Sequence, residues 1–478
     1  MLDILEKSVT FGETLGARFV DARYDNLTLR TLQRINDVWK DVLIRSRTGV
    51  GITAYFEGAK GYAFTGSTDT SVVKETVKRA VKLAKATASA VSLKLEFENG
   101  DAVNSASADL SKRLIKIHPD EKDLDFKIGM VDRALESARE HGKNINTVRA
   151  LYGELYGKKL FTNSDHSIID WEFEVVDLRT LVTSKTDEGH LVNGFQGYGG
   201  TWGLEVYNNP GKTPEAIGAS AGESAKEQLE AKACPGGKFR ALTENRLTGV
   251  LAHESFGHLS EGDFVVTGGS PLTDKIGKHL GSKYASIIDT GTPDISSYGG
   301  LWVPFDDQGI RGGETVVLDQ GILQYYLHDR GTANYLDQKP TGNCRALHFG
   351  YGPIPRMTNT YFTPGDLNEE EALELLDTGI YAIQTSGGQV SLDGFFVFKA
   401  VRGYWVENGE KKYPLREVSL SGNILNLLGM IEGATRDLSL NSGYFGGCGK
   451  GGQYPLPVGL GGPKLVFSEV TFGGKAGT

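Results

Sequence analysis

The sequence predicts an α+β protein of two domains. An N-terminal α/β domain is expected over residues 1–200, and a C-terminal β-rich domain, antiparallel and barrel-like, over 201–478. Three observations carry this. A chain of 478 residues exceeds what one ordinary hydrophobic core organises. The first half mixes helical and strand periodicities, whereas the chain after about residue 260 is mostly short strands and turns. Glycine, 63 residues and about twice the usual frequency, concentrates after residue 190. It follows no fixed period, which excludes collagen and solenoid repeats and leaves hairpin turns, bulges and close backbone approach.

Taken in order, residues 26–65 hold short alternating runs with a turn at Glu57-Gly58. A helix is predicted over about 70–87, with Val73, Val77, Ala80, Val81 and Ala84 on one face, and a second over about 121–141, stopped by Gly142. Strands follow at 148–156 and 168–176. Thr213-Pro214 reads as an N-cap followed by proline at the first helical position. Thr243 is a suitable cap for the next helix, with Leu247, Val250 and Leu251 on its apolar face. Hairpins are expected at 315–327 and, around Asn408-Gly409, at 403–413. A helix over about 369–378 is entered by Asn368 with Glu371 in capping-box position. A last helix is expected over about 422–432. The boundary between the domains falls in the stretch 190–235.

Composition fits a folded, non-secreted enzyme. Hydrophobic residues at 39% and charged residues at 23% exclude a disordered chain. The net charge of −9 and the lack of a dense Lys/Arg cluster disfavour nucleic acid as a partner. No run of eighteen apolar residues and no signal-peptide pattern is present, so no membrane association is expected. Three cysteines do not make a disulfide framework, and a cytoplasmic location is expected, where thiols stay reduced.

Residues 253–258 read His-Glu-Ser-Phe-Gly-His, two imidazoles and a carboxylate in a predicted helix. A helix that is otherwise buried and presents these groups mid-length needs partners for them, and a divalent metal is such a partner. In the usual zinc-peptidase motif the histidines are four apart. Here they are five apart, which on an ideal α-helix leaves them about 140° from one another. Both could face one ion only if the helix widens into a π-type turn or kinks. Gly257 is expected to tolerate that distortion. Glu254 is then placed as general base, in the position that glutamate holds in zinc peptidases. No Lys or Arg lies three or four positions away to pair with it.

A catalytic zinc takes three protein ligands. On local sequence Cys448, in Gly446-Gly447-Cys448-Gly449, is either the third ligand or a small buried residue in a glycine loop. Cys344 and Cys234 read as structural. His328 and His348 read as surface or hydrogen-bonded residues, since neither has a ligand-spaced partner. Asp263 could hold a ligand histidine through its second ring nitrogen, or serve as an N-cap. Arg356 and Asn359 are candidates for binding substrate backbone or bracing the site.

The stretch from His253 to Asp263, HExxxH followed by Gly262-Asp263, resembles the signature of the TldD/PmbA family of metalloproteases. So do Gly342-Asn343-Cys344-Arg345-Ala346, 355–361, and Gly447-Cys448-Gly449-Lys450-Gly451-Gly452-Gln453. The resemblance covers most of the chain, and the histidine motif makes it similar to the TldD-type subunit rather than the PmbA (TldE) type, which lacks it. The resemblance implies Zn2+ held by His253, His258 and Cys448, with hydrolysis of extended or unfolded peptides by water that Glu254 activates. It also implies a dimer, either with a PmbA/TldE-type subunit or with a second copy. Two further readings stay open on the residues: a metal hydrolase of another substrate class such as esters, and a non-catalytic binding or modulator subunit.

Overall fold

The computed structural model describes residues 1–96, 101–110, 114–391 and 393–473. The N-terminal part is built on seven strands. They are β1 (Phe19–Ile35), β2 (Val38–Phe56), β3 (Ala59–Thr65), β4 (Ser105–Ala108), β5 (Ile145–Asn163), β6 (Ile168–Lys185) and β7 (Leu191–Gly200). They lie in the order β3-β2-β1-β5-β6-β4, with β7 also on β6. All pairs are antiparallel except β4 with β6. The runs over 26–65 are therefore parts of two long strands joined at Asn36-Asp37, followed by the short β3. Asn36 takes the left-handed conformation the turn needs (φ 50°). Glu57 and Gly58 both have positive φ (48° and 76°), as a two-residue primed turn between β2 and β3 requires.

Helices cover the sheet. α1 (Leu2–Thr14) and α2 (Thr70–Thr87) bury Leu5, Val9, Val73, Val77, Ala80 and Ala84 against Val20 and Ile52. The face expected of the helix over 70–87 is the buried one. α3 (Leu124–His141) begins three residues later than the periodicity suggested, because Asp123 is its cap: its carboxylate accepts the Phe126 N–H. α4 (Pro214–Glu227) starts as read, with the Thr213 hydroxyl capping Ala216. It returns to the N-terminal sheet and packs on α3 so closely that a Cβ at Gly218 would lie 2.0 Å from the Ala134 carbonyl oxygen.

The C-terminal part is β-rich. A ten-stranded sheet runs from strand Gly388–Val390 at one edge to Lys232–Ala233 at the other, and a six-stranded sheet packs beside it. The barrel-like expectation is corrected here. Both sheets are open, and a barrel requires the first and last strands to pair. The pairing is mainly antiparallel, with parallel pairs such as Ile380–Ala382 with Ala241–Thr243. The hairpin at 408–409 forms as expected, with Asn408 and Gly409 at φ 54° and 73°. The helix entered by Asn368 forms with its capping box to Glu371. The helix expected over 422–432 shortens to Ile424–Gly429, because strands Ser419–Asn423 and Ile431–Ala434 take its two ends.

Between the sheets lies α5 (Asn245–Val250), continuous with the motif segment. It starts one residue later than read, since Thr243 ends strand Gly237–Thr243 and Glu244 caps instead. Leu247, Leu251 and Phe256 are buried with Met357, Phe362, Phe396 and Phe467 in one core. The two halves are tied by buried ion pairs: Arg330 to both oxygens of Asp21 at 2.8 Å, and Asp307 to Arg23 at 3.0 Å and Lys159 at 2.9 Å.

Candidate metal centre

Beyond Val250 the helix widens: Leu251–Gly257 is π-helical, followed by a 3-10 turn at His258–Ser260. This is the distortion that the five-residue spacing demands. The two imidazoles meet edge to face with ring centroids 5.2 Å apart. Gly257 has a different reason to be glycine than the one inferred. Its backbone is ordinary right-handed helix (φ −58°), but a Cβ there would lie 2.1 Å from the Met357 sulfur. The glycine lets the widened turn sit against the core rather than permitting the widening itself.

Cys448 opens a short ribbon, Cys448–Lys450 paired with Gln453–Leu456. Gly447, at φ 146°, precedes it and lies where a Cβ would be 2.5 Å from the Leu456 carbonyl oxygen. The turn delivers the thiol to the histidines: Sγ is 3.4 Å from Nε2 of His258. One donor atom from each of His253, His258 and Cys448 lies within 4.8 Å of the others. His253 is 1% exposed, and neither ring nitrogen has a hydrogen-bond partner among the described residues. A buried polar group left unpaired is costly, and a metal ion among these three donors would remove that cost. Two nitrogens and a sulfur are a donor set that suits zinc.

Electrostatics fit the same reading. Burial, with the cations His258, Arg356 and Arg345 nearby, holds the His253 pKa well below the usual imidazole range, so the ring stays neutral and one nitrogen keeps its lone pair. Burial opposes charge on His258, but the Glu261 carboxylate and the Cys448 sulfur outweigh it and favour a cation on that ring, so a bound metal would have to displace the Nε2 proton. Glu261, fully buried, would be raised by burial but is held below its ordinary value by His258 and Lys450. Its Oε2 is 2.9 Å from His258 Nδ1 and 3.0 Å from Lys450 Nζ. Burial raises the Glu254 pKa, against the pull of His258.

The other sequence candidates separate. Asp263 is not the partner of a histidine. His258 is followed by a tight 3-10 turn that brings Glu261, three residues on, to Nδ1, while Asp263 Oδ1 takes Lys450 Nζ at 2.6 Å. Arg356 is fully buried and donates to the Cys448 carbonyl at 2.7 Å, bracing the thiol's loop. Asn359 is fully buried and lies away from the cleft. It accepts from Leu301 N–H at 2.7 Å and donates to the carbonyls of Thr290 (2.6 Å) and Leu301 (2.7 Å). His328 is buried between Thr332 and Gln338. His348 hydrogen-bonds Gly350 and is pushed down to about 4 by burial and Arg47. Cys344 and Cys234 are buried thiols, both raised by burial. Glu261 and Lys450 were missed, although each stands beside a motif residue and the i, i+3 spacing from His258 pointed to Glu261.

Glu254 stands between two cavities. One, about 790 Å³, runs between the two halves and is lined by Asp177, Arg179, Phe195, Arg246 and Tyr454. The other, about 480 Å³, is lined by His258, Phe264, Gln389, Val390 and Lys450. Strand Gly388–Val390, the edge of the ten-stranded sheet, therefore borders the site.

Fold and site together define an α+β protein in which two histidines of a π-helical turn meet a cysteine of a facing ribbon. Family models described as PmbA/TldA metallopeptidase domain 1, central domain and C-terminal domain match residues 40–86, 117–229 and 236–474. A metalloprotease of Methanocaldococcus jannaschii is 31% identical over 96% of this chain and 97% of its own. A zinc metalloprotease TldD homolog of Saccharolobus solfataricus is 26% identical over 98% and 99%. Among solved structures, a DNA gyrase modulator from Thermotoga maritima aligns over 99% of this chain and all of its own, with TM-score 0.77 and 22% identity. TldE from Thermococcus kodakarensis aligns over the same shares with TM-score 0.72 and 16% identity, and at such identities the two structures speak for the fold alone. The chain belongs to the PmbA/TldD family of metallopeptidases and, with its HExxxH motif, is of the TldD type.

Proposed function

We propose that the chain is a zinc-dependent peptidase acting on extended or unfolded peptides, with His253, His258 and Cys448 as metal ligands and Glu254 as general base. The observation that carries this is the buried His253 ring, with both nitrogens unpaired among the described residues, inside a cluster of three donors. Bound zinc supplies a Lewis acid that polarises a carbonyl and makes water acidic near neutrality. The protein's own groups do the rest. Glu261 fixes the tautomer and orientation of His258 through Nδ1, so that Nε2 faces the cluster. Arg356 and Lys450 anchor the two ends of the Cys448 ribbon. Glu254 takes the proton of the attacking water and returns it to the leaving amine. Its raised pKa suits a group that must both accept and release that proton.

The edge strand Gly388–Val390 has a neighbouring strand on one side only among the described residues and lines the same cavity as Glu254, which suits a peptide bound as an added strand. An ester hydrolase would need no such edge. A dimer, with a PmbA/TldE-type subunit or with a second copy, and a cytoplasmic location complete the reading. No helix among the described residues is long and apolar enough to cross a membrane. The gyrase-modulator description belongs to the solved neighbour, and a net charge of −9 gives it no electrostatic support here.

The test is a digest of an unstructured peptide library by the purified, zinc-loaded chain, with and without a PmbA/TldE-type subunit. Cleavage at internal bonds that is lost in Glu254→Gln supports the reading. Absence of cleavage in both settings, with zinc bound, would leave the binding-subunit reading in its place.

A further inference from the structure

The cavity of about 790 Å³ beside Glu254 is walled in part by cations that the protein does not neutralise. Arg179 pairs with Asp177 at 2.8 Å. Arg246, Lys399 and Arg416 also line the cavity and form no ion pair among the described residues, with Glu254 and Glu417 as the carboxylates that remain on its wall. Arg246 is set apart by its place. Arg246, Val250 and Glu254 recur at four-residue intervals along α5 and its widened continuation, and all three face the cavity. Nη2 of Arg246 donates to the Gly197 carbonyl and, at 3.3 Å, to Oδ1 of Asn441. The Phe195 and Tyr198 rings lie 5.3 and 5.8 Å from its Cζ. These neutral contacts orient the guanidinium without an anion. Nε and Nη1 make no hydrogen bond among the described residues. Burial opposes the charge and lowers the Arg246 pKa, with Glu244 acting against it, yet a guanidinium stays protonated in proteins. A cation so desolvated gains from an anion brought to it.

We propose that Arg246 is a specificity residue that receives a carboxylate of the bound peptide, about three residues from the bond that is cut. Eight helical residues separate Arg246 from Glu254, on the order of 12 Å along the axis. An extended peptide advances about 3.3–3.6 Å per residue, so that span takes roughly three of them. Arginine suits the task because its planar fork matches a carboxylate. Lys399 and Arg416 add to the positive potential that draws an anion into the cavity. The carboxylate belongs either to an acidic side chain or to the peptide's C-terminus, since both present the same group. The position relative to the cut bond rests on the peptidase reading; the affinity for a carboxylate does not.

The experiment is fluorescence anisotropy with labelled, otherwise neutral peptides on the full, zinc-loaded Glu254→Gln chain, which keeps the cavity and suppresses turnover. Glu is placed at each position in turn, with Gln as its isostere, and each peptide is made with a free and an amidated C-terminus. One acid position, or the free C-terminus, should lower the Kd at least about tenfold, the scale of a charge-assisted hydrogen bond. Loss of the gain on Glu-to-Gln exchange assigns the carboxylate to a side chain; loss on amidation assigns it to the chain end. Arg246→Gln added to the same chain should bring the paired peptides to within about twofold of each other. Arg246→Lys keeps the charge without the fork and should fall between the two, a second reading should Arg246→Gln not fold. Equal binding of all peptides overturns the proposal and leaves Arg246 as a brace between Gly197 and Asn441. A preference undiminished in Arg246→Gln overturns it as well. Digestion of the preferred peptide by the zinc-loaded wild-type chain then locates the cut. An acid preferred directly at the cut bond contradicts the three-residue placement. Absence of any cleavage, with the binding preference intact, counts against the peptidase reading and leaves the carboxylate site standing.

Discussion

The backbone N–H of His258 donates to the carbonyl oxygen of His253. This five-residue hydrogen bond joins the two histidines through the main chain, and it is the reason their rings meet. In a regular α-helix each would bond four residues away and the rings would diverge by about 140°. Gly257, against Met357, allows the widened turn to dock. Gly257→Ala should therefore destabilise the protein by about 1–3 kcal/mol, as overpacking does, and weaken zinc binding at the same time. Thermal melts with and without added zinc check both effects. An unchanged melting temperature would mean the Met357 side chain moves aside without cost.

Glu261 is expected to matter more than Asp263. Glu261→Gln keeps the shape but removes the anion that orients His258, and zinc affinity should fall roughly 10- to 100-fold, the range for such supporting partners. Asp263→Asn removes only the Lys450 contact on the other side, so its effect should be several-fold smaller. Competition with a chromophoric chelator measures both. Equal losses would contradict the assignment of Glu261 as the orienting group.

Glu254→Gln should lower peptide turnover by roughly 100-fold or more, the usual scale for loss of a general base, while zinc content stays near that of the wild-type chain. His258→Ala should lose zinc and activity together. Loss of zinc in Glu254→Gln would make Glu254 a ligand instead.

Asp307 tests the joint between the halves. Burial opposes its ionisation, but Lys159 and Arg23 outweigh that and hold its pKa below the ordinary carboxylate range. A depressed pKa contributes stability that is complete above the unfolded value, about 3.9, and is lost as pH falls through the folded value. Asp307→Asn leaves Arg23, 2% exposed, without its paired anion, so a cost of about 3–5 kcal/mol is expected at pH 7. Denaturant melts should show the gap between variant and wild type constant from pH 7 to about 5, then narrowing below about pH 4. A gap that widens in acid would contradict the sign.

Much of this was legible in the sequence because it depends on local spacing. The interval between His253 and His258 foretold the widened turn, Asn408-Gly409 its hairpin, Asn368 and Glu371 their capping box. What was not legible depends on contacts far apart in the chain. The long β1 and β2 read as short runs because their exposed halves break the alternation of buried residues. The reason for Gly257 lies in Met357, a hundred residues on, and Lys450 reaches Glu261 only after the Cys448 ribbon folds back. Open sheet edges cannot be told from closed ones by strand periodicity, so the barrel-like expectation failed.

The central claim is that one metal ion sits among His253, His258 and Cys448. X-ray absorption on the zinc-loaded chain tests it most directly. One sulfur at about 2.3 Å and nitrogens at about 2.0–2.1 Å are predicted, with the sulfur contribution lost in Cys448→Ser. A shell of nitrogen and oxygen only in the wild-type chain, or a sulfur signal that survives Cys448→Ser, would contradict it.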